Sequence, residues 1–112
     1  MTELTKDADI LICSIYAEYM KRVKNNISKI EANNFNSRLF LSNKVLSKCN
    51  PNDLELISLE ELRVKKLVSC DILGNFELTS NGIIYMENRF KEGLSQVIDY
   101  LQNLTGLFGL LF

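Results

Sequence analysis

Residues 58–82 read SLEELRVKKLVSCDILGNFELTSNG, and the order of signals within them decides the fold. Ser58 and Glu61 have the S-x-x-E spacing of a capping box, and Ile57 and Leu62 occupy the matching staple positions, so a helix is expected to start or restart near Ser58. Lys65 and Lys66 load the end of that helix with positive charge, which the helix dipole favours there. The apolar run from Leu67 to Ile72 then reads as a strand.

Leu73-Gly74-Asn75 interrupts the runs Leu67 to Ile72 and Phe76 to Thr79 with residues that tolerate the positive φ of a tight turn, which predicts a β-hairpin. Thr79 or Ser80 can cap a new helix ahead of Ile83-Ile84-Tyr85-Met86. A leucine-rich helix, Leu67-Val68, a short wing and Leu78-Thr79-x-x-Gly82, in that order, resemble the winged helix-turn-helix superfamily, and within it small bacterial and archaeal regulators of the MarR and PadR type. The resemblance covers residues 7–90. It implies a mainly helical α+β fold with a two- or three-stranded wing, and DNA as a partner.

Outward from this segment, Asp7 to Lys24 reads as a buried helix, with Ile10, Leu11, Cys13, Ile15, Tyr16, Ala17, Tyr19, Met20 and Val23 followed by Lys21, Arg22 and Lys24 at its end. The pairs Asn25-Asn26 and Asn33-Asn34 bracket a short piece, either an edge strand or a helical turn. Ser37 can cap a second helix through Leu39, Leu41, Val45 and Leu46 that ends by Cys49, because the residue before Pro51 disfavours helical geometry. Asn50-Pro51-Asn52 would be the turn of a helix-turn-helix. The next helix starts at Asp53 or at Ser58, and ordinary loop lengths favour Asp53.

Residues 83–112 read as one long C-terminal helix. Phe90, Leu94, Val97, Leu101, Leu104 and Phe108 alternate at spacings of four and three, the pattern of a helix-helix dimer seam or of a core-facing stripe. Gly93 interrupts it at a cost of about 1 kcal/mol relative to Ala, and marks a bend or a close approach. The uncharged ending from Leu104 to Phe112 needs cover, from a partner chain before a membrane surface. The expected layout is a winged-helix region over residues 1–82 and a dimerisation helix over 83–112, within one structural domain.

Composition narrows the function. Net charge is −1, but residues 1–50 carry +3 and residues 51–112 carry −4, so any basic surface should come from the first half. The chain has no histidine, P-loop or nucleophile-elbow motif, and its five glycines are dispersed, so no enzyme and no cofactor are expected. Cys13, Cys49 and Cys70 are odd in number and widely spaced, which argues against a disulfide framework or metal site; Cys13 and Cys70 read as small buried hydrophobes. The polar start MTELTKDAD and the absence of a long apolar run predict a cytoplasmic chain without a spanning helix.

Two functional readings follow. The first is a homodimeric DNA-binding regulator with Asn50, Asn52, Arg63, Lys65 and Lys66 nearest the duplex and Arg38, Lys44 and Lys48 on phosphates. Lys21, Arg22, Lys24 and Lys29 could add to that charge, or form an ordinary solvated face. The second is a protein-protein adaptor docking through its acidic third helix or apolar tail, because Asp53, Glu55, Glu60 and Glu61 would repel phosphate.

Overall fold

The computed structural model describes residues 4–36, 58–71 and 75–105, apart from the side chains of Ile30, Asn36, Leu104 and Thr105. Five helices and three strands are found among them: α1 (Lys6–Lys24), α2 (Lys29–Ala32), β1 (Phe35–Asn36), α3 (Leu59–Val64), β2 (Val68–Cys70), β3 (Asn75–Leu78), α4 (Ser80–Arg89) and α5 (Leu94–Thr105). The chain is a mainly helical α+β fold.

Helix α1 is its central element. Thr5 caps it, the Thr5 Oγ1 accepting from the Ala8 amide at 3.3 Å, while Asp7 and Asp9 in the first turn and Lys21, Arg22 and Lys24 in the last complement its dipole. A nearly unbroken stretch from Ala8 to Ala17 is buried, so the helix is covered on most of its circumference by α2, α3, α4 and α5. Ser14 satisfies its hydroxyl on the Ile10 carbonyl at 2.8 Å. The helix ends in a Schellman pair, the Asn26 amide on the Val23 carbonyl and the Ile27 amide on the Arg22 carbonyl, with Asn26 at φ 67°.

The segment between the two asparagine pairs is the helical turn α2, and the edge strand follows it as β1. The sheet is antiparallel in the order β1-β3-β2, with Phe35 opposite Phe76 and Val68 opposite Leu78. The Phe35 and Phe76 rings stack at 5.5 Å, the cross-strand aromatic pairing that stabilises short ladders. Beyond β1, the Asn33 amide takes over the pairing: its Nδ2 donates to the Leu78 carbonyl at 2.8 Å and its Oδ1 accepts from the Leu78 amide at 2.9 Å. Arg22 closes the same corner, donating to the carbonyls of Ala32 and Asn34 and lying 4.6 Å over the Phe35 ring. Arg22 thus holds α1, α2 and β1 together instead of lining a solvated face.

Three expectations for residues 58–82 change. Ser58 makes no cap hydrogen bond; its backbone is already helical (φ −70°, ψ −44°) and its hydroxyl is buried. Glu61 leaves the capping box and reaches the start of α1, its Oε2 accepting from the Thr5 amide and its Oε1 from Thr5 Oγ1, both at 2.9 Å. That carboxylate satisfies the cap amide of another helix, the role a capping box assigns within one helix. Lys65 and Lys66 lie past α3 rather than in its last turn, in a second Schellman pair formed by the Lys66 amide on Arg63 and the Leu67 amide on Leu62. Lys66 takes φ 63° there, a conformation that costs a side-chain-bearing residue about 1 kcal/mol.

The hairpin forms as expected, with β2 running over Val68–Cys70 and β3 starting already at Asn75. Asp71 closes it: its backbone amide donates to the Asn75 carbonyl, and its carboxylate accepts from the Asn75 amide at 2.9 Å and from Asn75 Nδ2 at 3.2 Å. Thr79 then caps α4, its hydroxyl accepting from the Gly82 amide at 3.0 Å and donating to the Lys66 carbonyl at 2.5 Å. Gly82 is demanded by space, since a Cβ there would stand 2.1 Å from the Leu67 carbonyl oxygen.

The single long C-terminal helix is corrected to two. Helix α4 stops at Arg89, and α5 begins at Leu94 after a link in which Gly93 has φ 91°. Phe90, Val97 and Leu101 turn into the chain's own core and Leu94 packs partly buried against it, because the break folds α5 back along α1. Within one chain Phe90, Leu94, Val97 and Leu101 thus form the core-facing stripe, one of the two readings their spacing allowed; the Leu104 side chain and Phe108 lie outside the described residues. The expected boundary between residues 82 and 83 falls inside α4.

Candidate functional site

The surface that the sequence singled out is the outer side of α3 and the turn after it. Arg63, Val64, Lys65 and Lys66 are all exposed, with Leu62 fully buried beneath them. This follows from helical geometry: Leu62 anchors the helix on α1, and the residues after it face outward. Arg63 forms an ion pair with Glu60 one turn back, its Nε donating to Glu60 Oε2 at 2.8 Å and its Nη2 to Glu60 Oε1. The hydrogen bond from Arg63 holds the Glu60 carboxyl below the usual carboxylate range, and the same bond raises the Arg63 guanidinium. With Glu61 turned onto Thr5, two of the four acids expected to repel phosphate are accounted for, Glu60 paired and Glu61 directed away, while Asp53 and Glu55 lie outside the described residues.

The structure brings Arg63, Lys65 and Lys66 onto one short stretch at the end of α3. Arg38, Lys44, Lys48, Asn50 and Asn52, the remaining expected DNA contacts, lie outside the described residues, as do Cys49, Asp53 and Ile57. Cys13 is fully buried, 3.7 Å from Asp9, and burial pushes its thiol far up; it is inert packing. Cys70 is exposed, which corrects its expected burial: in β2 only Val68 faces inward, and Ser69 and Cys70 do not. A shallow polar depression of about 260 Å³ lies beside it, lined by Asn34, Ser69, Asp71, Asn75 and Glu77 among others. Among the described residues no group of His, Cys, Asp and Glu side chains could hold a metal ion, and no helix is long and apolar enough to cross a membrane.

A second polar group escaped the sequence reading. Arg89, at the end of α4, grips Asp9 of α1 through both carboxylate oxygens, Nη1 to Oδ1 at 2.5 Å and Nη2 to Oδ2 at 3.0 Å. Tyr100 of α5 donates its hydroxyl to Asp9 Oδ2 at 2.5 Å. The Arg89 guanidinium also sits 4.9 Å over the Phe90 ring and 4.7 Å over the Tyr100 ring. Burial alone would raise the Asp9 carboxyl, but the hydrogen bonds from Arg89 and Tyr100 and the Arg89 charge outweigh it and hold the group below its ordinary range. Burial, then the bond to the Asp9 carboxylate, pushes the Tyr100 phenol up to about 12. The bond to Asp9 raises Arg89. Each partner fixes the other's protonation, which is the chemistry of a structural clasp between three helices. The one signal available in sequence was an acid, an arginine and a tyrosine inside otherwise core-forming segments.

No family model, no curated protein and no solved structure matches the chain.

Proposed function

We propose that the chain is a small winged helix-turn-helix protein that binds double-stranded DNA as a homodimer, acts in transcriptional regulation and carries no catalytic site. One observation supports this above the rest: two helices and an edge strand, then α3 leading into a hairpin, with a sheet order of β1-β3-β2, the connectivity that presents α3 on the outer surface beside the hairpin. Arg63, Lys65 and Lys66 supply cationic groups at the end of that helix, and the α3 acids are paired or turned away. In this reading Lys65 and Lys66 sit on phosphates next to the groove that α3 enters, with further cations from Arg38, Lys44 and Lys48.

Titrating random duplex DNA into the protein at several salt concentrations tests the reading. Binding that weakens steeply with salt is expected, because phosphate contacts release counterions; no binding at low salt overturns it. One observation favours a second reading, a protein-protein adaptor: Val64 is 64% exposed on α3 and Ile84 is 55% exposed on α4, apolar surface that duplex DNA would not cover. Indifference to duplex at every salt concentration is the outcome that reading expects.

A further inference from the structure

The buried residues of α4 and α5 keep the spacing of one continuous helix across the break between them. Met86, Phe90, Leu94, Val97 and Leu101 follow one another at four, four, three and four residues, and all pack on the core. Only the link from Phe90 to Gly93 departs from helical geometry. It is a turn in which the Gly93 amide donates to the Phe90 carbonyl at 3.2 Å, with Gly93 at φ 91°. Gln96 tightens it, its Oε1 accepting from the Glu92 amide at 3.0 Å. Helix α5 in turn forms the broadest contact among the described elements, along α1, and is pinned there by Tyr100 on Asp9.

From this we infer that two copies of the chain exchange α5: the link straightens, α4 and α5 become one helix, and each α5 lies along the α1 of the other copy. Every contact of the closed form is regained between chains, since the exchanged helix meets the same surface. The Asp9–Arg89–Tyr100 clasp becomes composite, with Asp9 and Arg89 from one copy and Tyr100 from its partner. The stripe from Phe90 to Leu101 thus serves both as core in the closed chain and as the seam of the pair. This inference rests on the homodimeric part of the proposed function and is independent of DNA binding.

Two substitutions in the link drive it in opposite directions. Gly93→Ala penalises the positive φ of the closed turn and favours the straight helix, so the dimerisation constant should rise about ten-fold or more by light scattering. Lys91→Pro occupies the second position of the turn, where proline is favoured, and cannot continue the helix from α4; this variant should be monomeric. If Gly93→Ala does not fold, Lys91→Ala/Glu92→Ala raises helix propensity at two exposed link positions without touching the glycine, and should raise dimer by a smaller factor. No rise in dimer in whichever of these two variants folds overturns the inference. Lys91→Pro chains that pair as well as the natural sequence also overturn it, while leaving a homodimer of another kind standing. Loss of salt-dependent duplex binding with the exchange intact would instead count against the DNA reading alone.

Discussion

Two arginine–carboxylate pairs, Asp9–Arg89 and Glu60–Arg63, use the same two-pronged chemistry to opposite ends. The first joins α1 to the end of α4 with its side chains 14% and 24% exposed, and recruits Tyr100 from α5. The second lies within one turn of α3 with both side chains about half exposed. Water screens the second more than the first, so one pair fixes the arrangement of three helices while the other only trims the charge of a surface. Of the two pairs, the one on the α1 side therefore holds helices together, while Arg63, Lys65 and Lys66 lie on the exposed surface at the end of α3.

The severest way to break the fold lies at neither pair. Gly82→Ala would drive a methyl group into the Leu67 carbonyl at 2.1 Å, at the point where α4 leaves the sheet, and is expected to cost about 3 kcal/mol or more in urea unfolding. Next, Asp9→Ala strands Arg89 in a half-buried site and should cost about 3 kcal/mol. A double-mutant cycle should give Asp9 and Arg89 a clear coupling energy, and Glu60 and Arg63 none that can be measured. Equal coupling in the two cycles would dissolve the contrast.

The clasp also sets the pH limits of stability. The folded state lowers the Asp9 carboxyl, so its contribution is complete above the unfolded carboxylate value near 3.9 and is lost as pH falls through the folded value. It raises the Tyr100 phenol, so that contribution is complete below about 10 and is lost as pH rises toward about 12. Tyr100→Phe should cost about 1–2 kcal/mol at neutral pH and remove the clasp's share of the alkaline loss, which thermal melts at pH 8 and pH 11 would show. The smallest effect is favourable: Lys66→Gly relieves a left-handed lysine and should add about 1 kcal/mol to stability.

Local signals were legible in the sequence. The span of α1, the Thr79 cap, the hairpin and the interruption at Gly93 follow from residues within a few positions of one another, where propensity and capping operate. The long-range assignments were not. Glu61 and Thr5 are 56 residues apart, and Asp9 is 80 from Arg89 and 91 from Tyr100, separations that no periodicity encodes. The capping box at Ser58 failed for the same reason: a carboxylate at the right spacing found a better amide on another helix. Residues 83–112 read as one helix because both halves carry the same apolar spacing, and a single glycine in a four-residue link does not weaken that pattern. Of the candidate DNA contacts, the sequence singled out the cationic end of α3 but not the turn that presents it, since a left-handed lysine has no sequence mark.

The most direct measurement of the central claim is duplex affinity as a function of salt for the natural chain and for Lys65→Gln/Lys66→Gln, which leaves the buried clasp untouched. The account predicts weaker binding for the variant and a shallower salt dependence, by about one unit of slope for each lysine that meets a phosphate, with the urea midpoint changed little. The same affinity and the same slope in both chains would contradict a DNA surface at the end of α3.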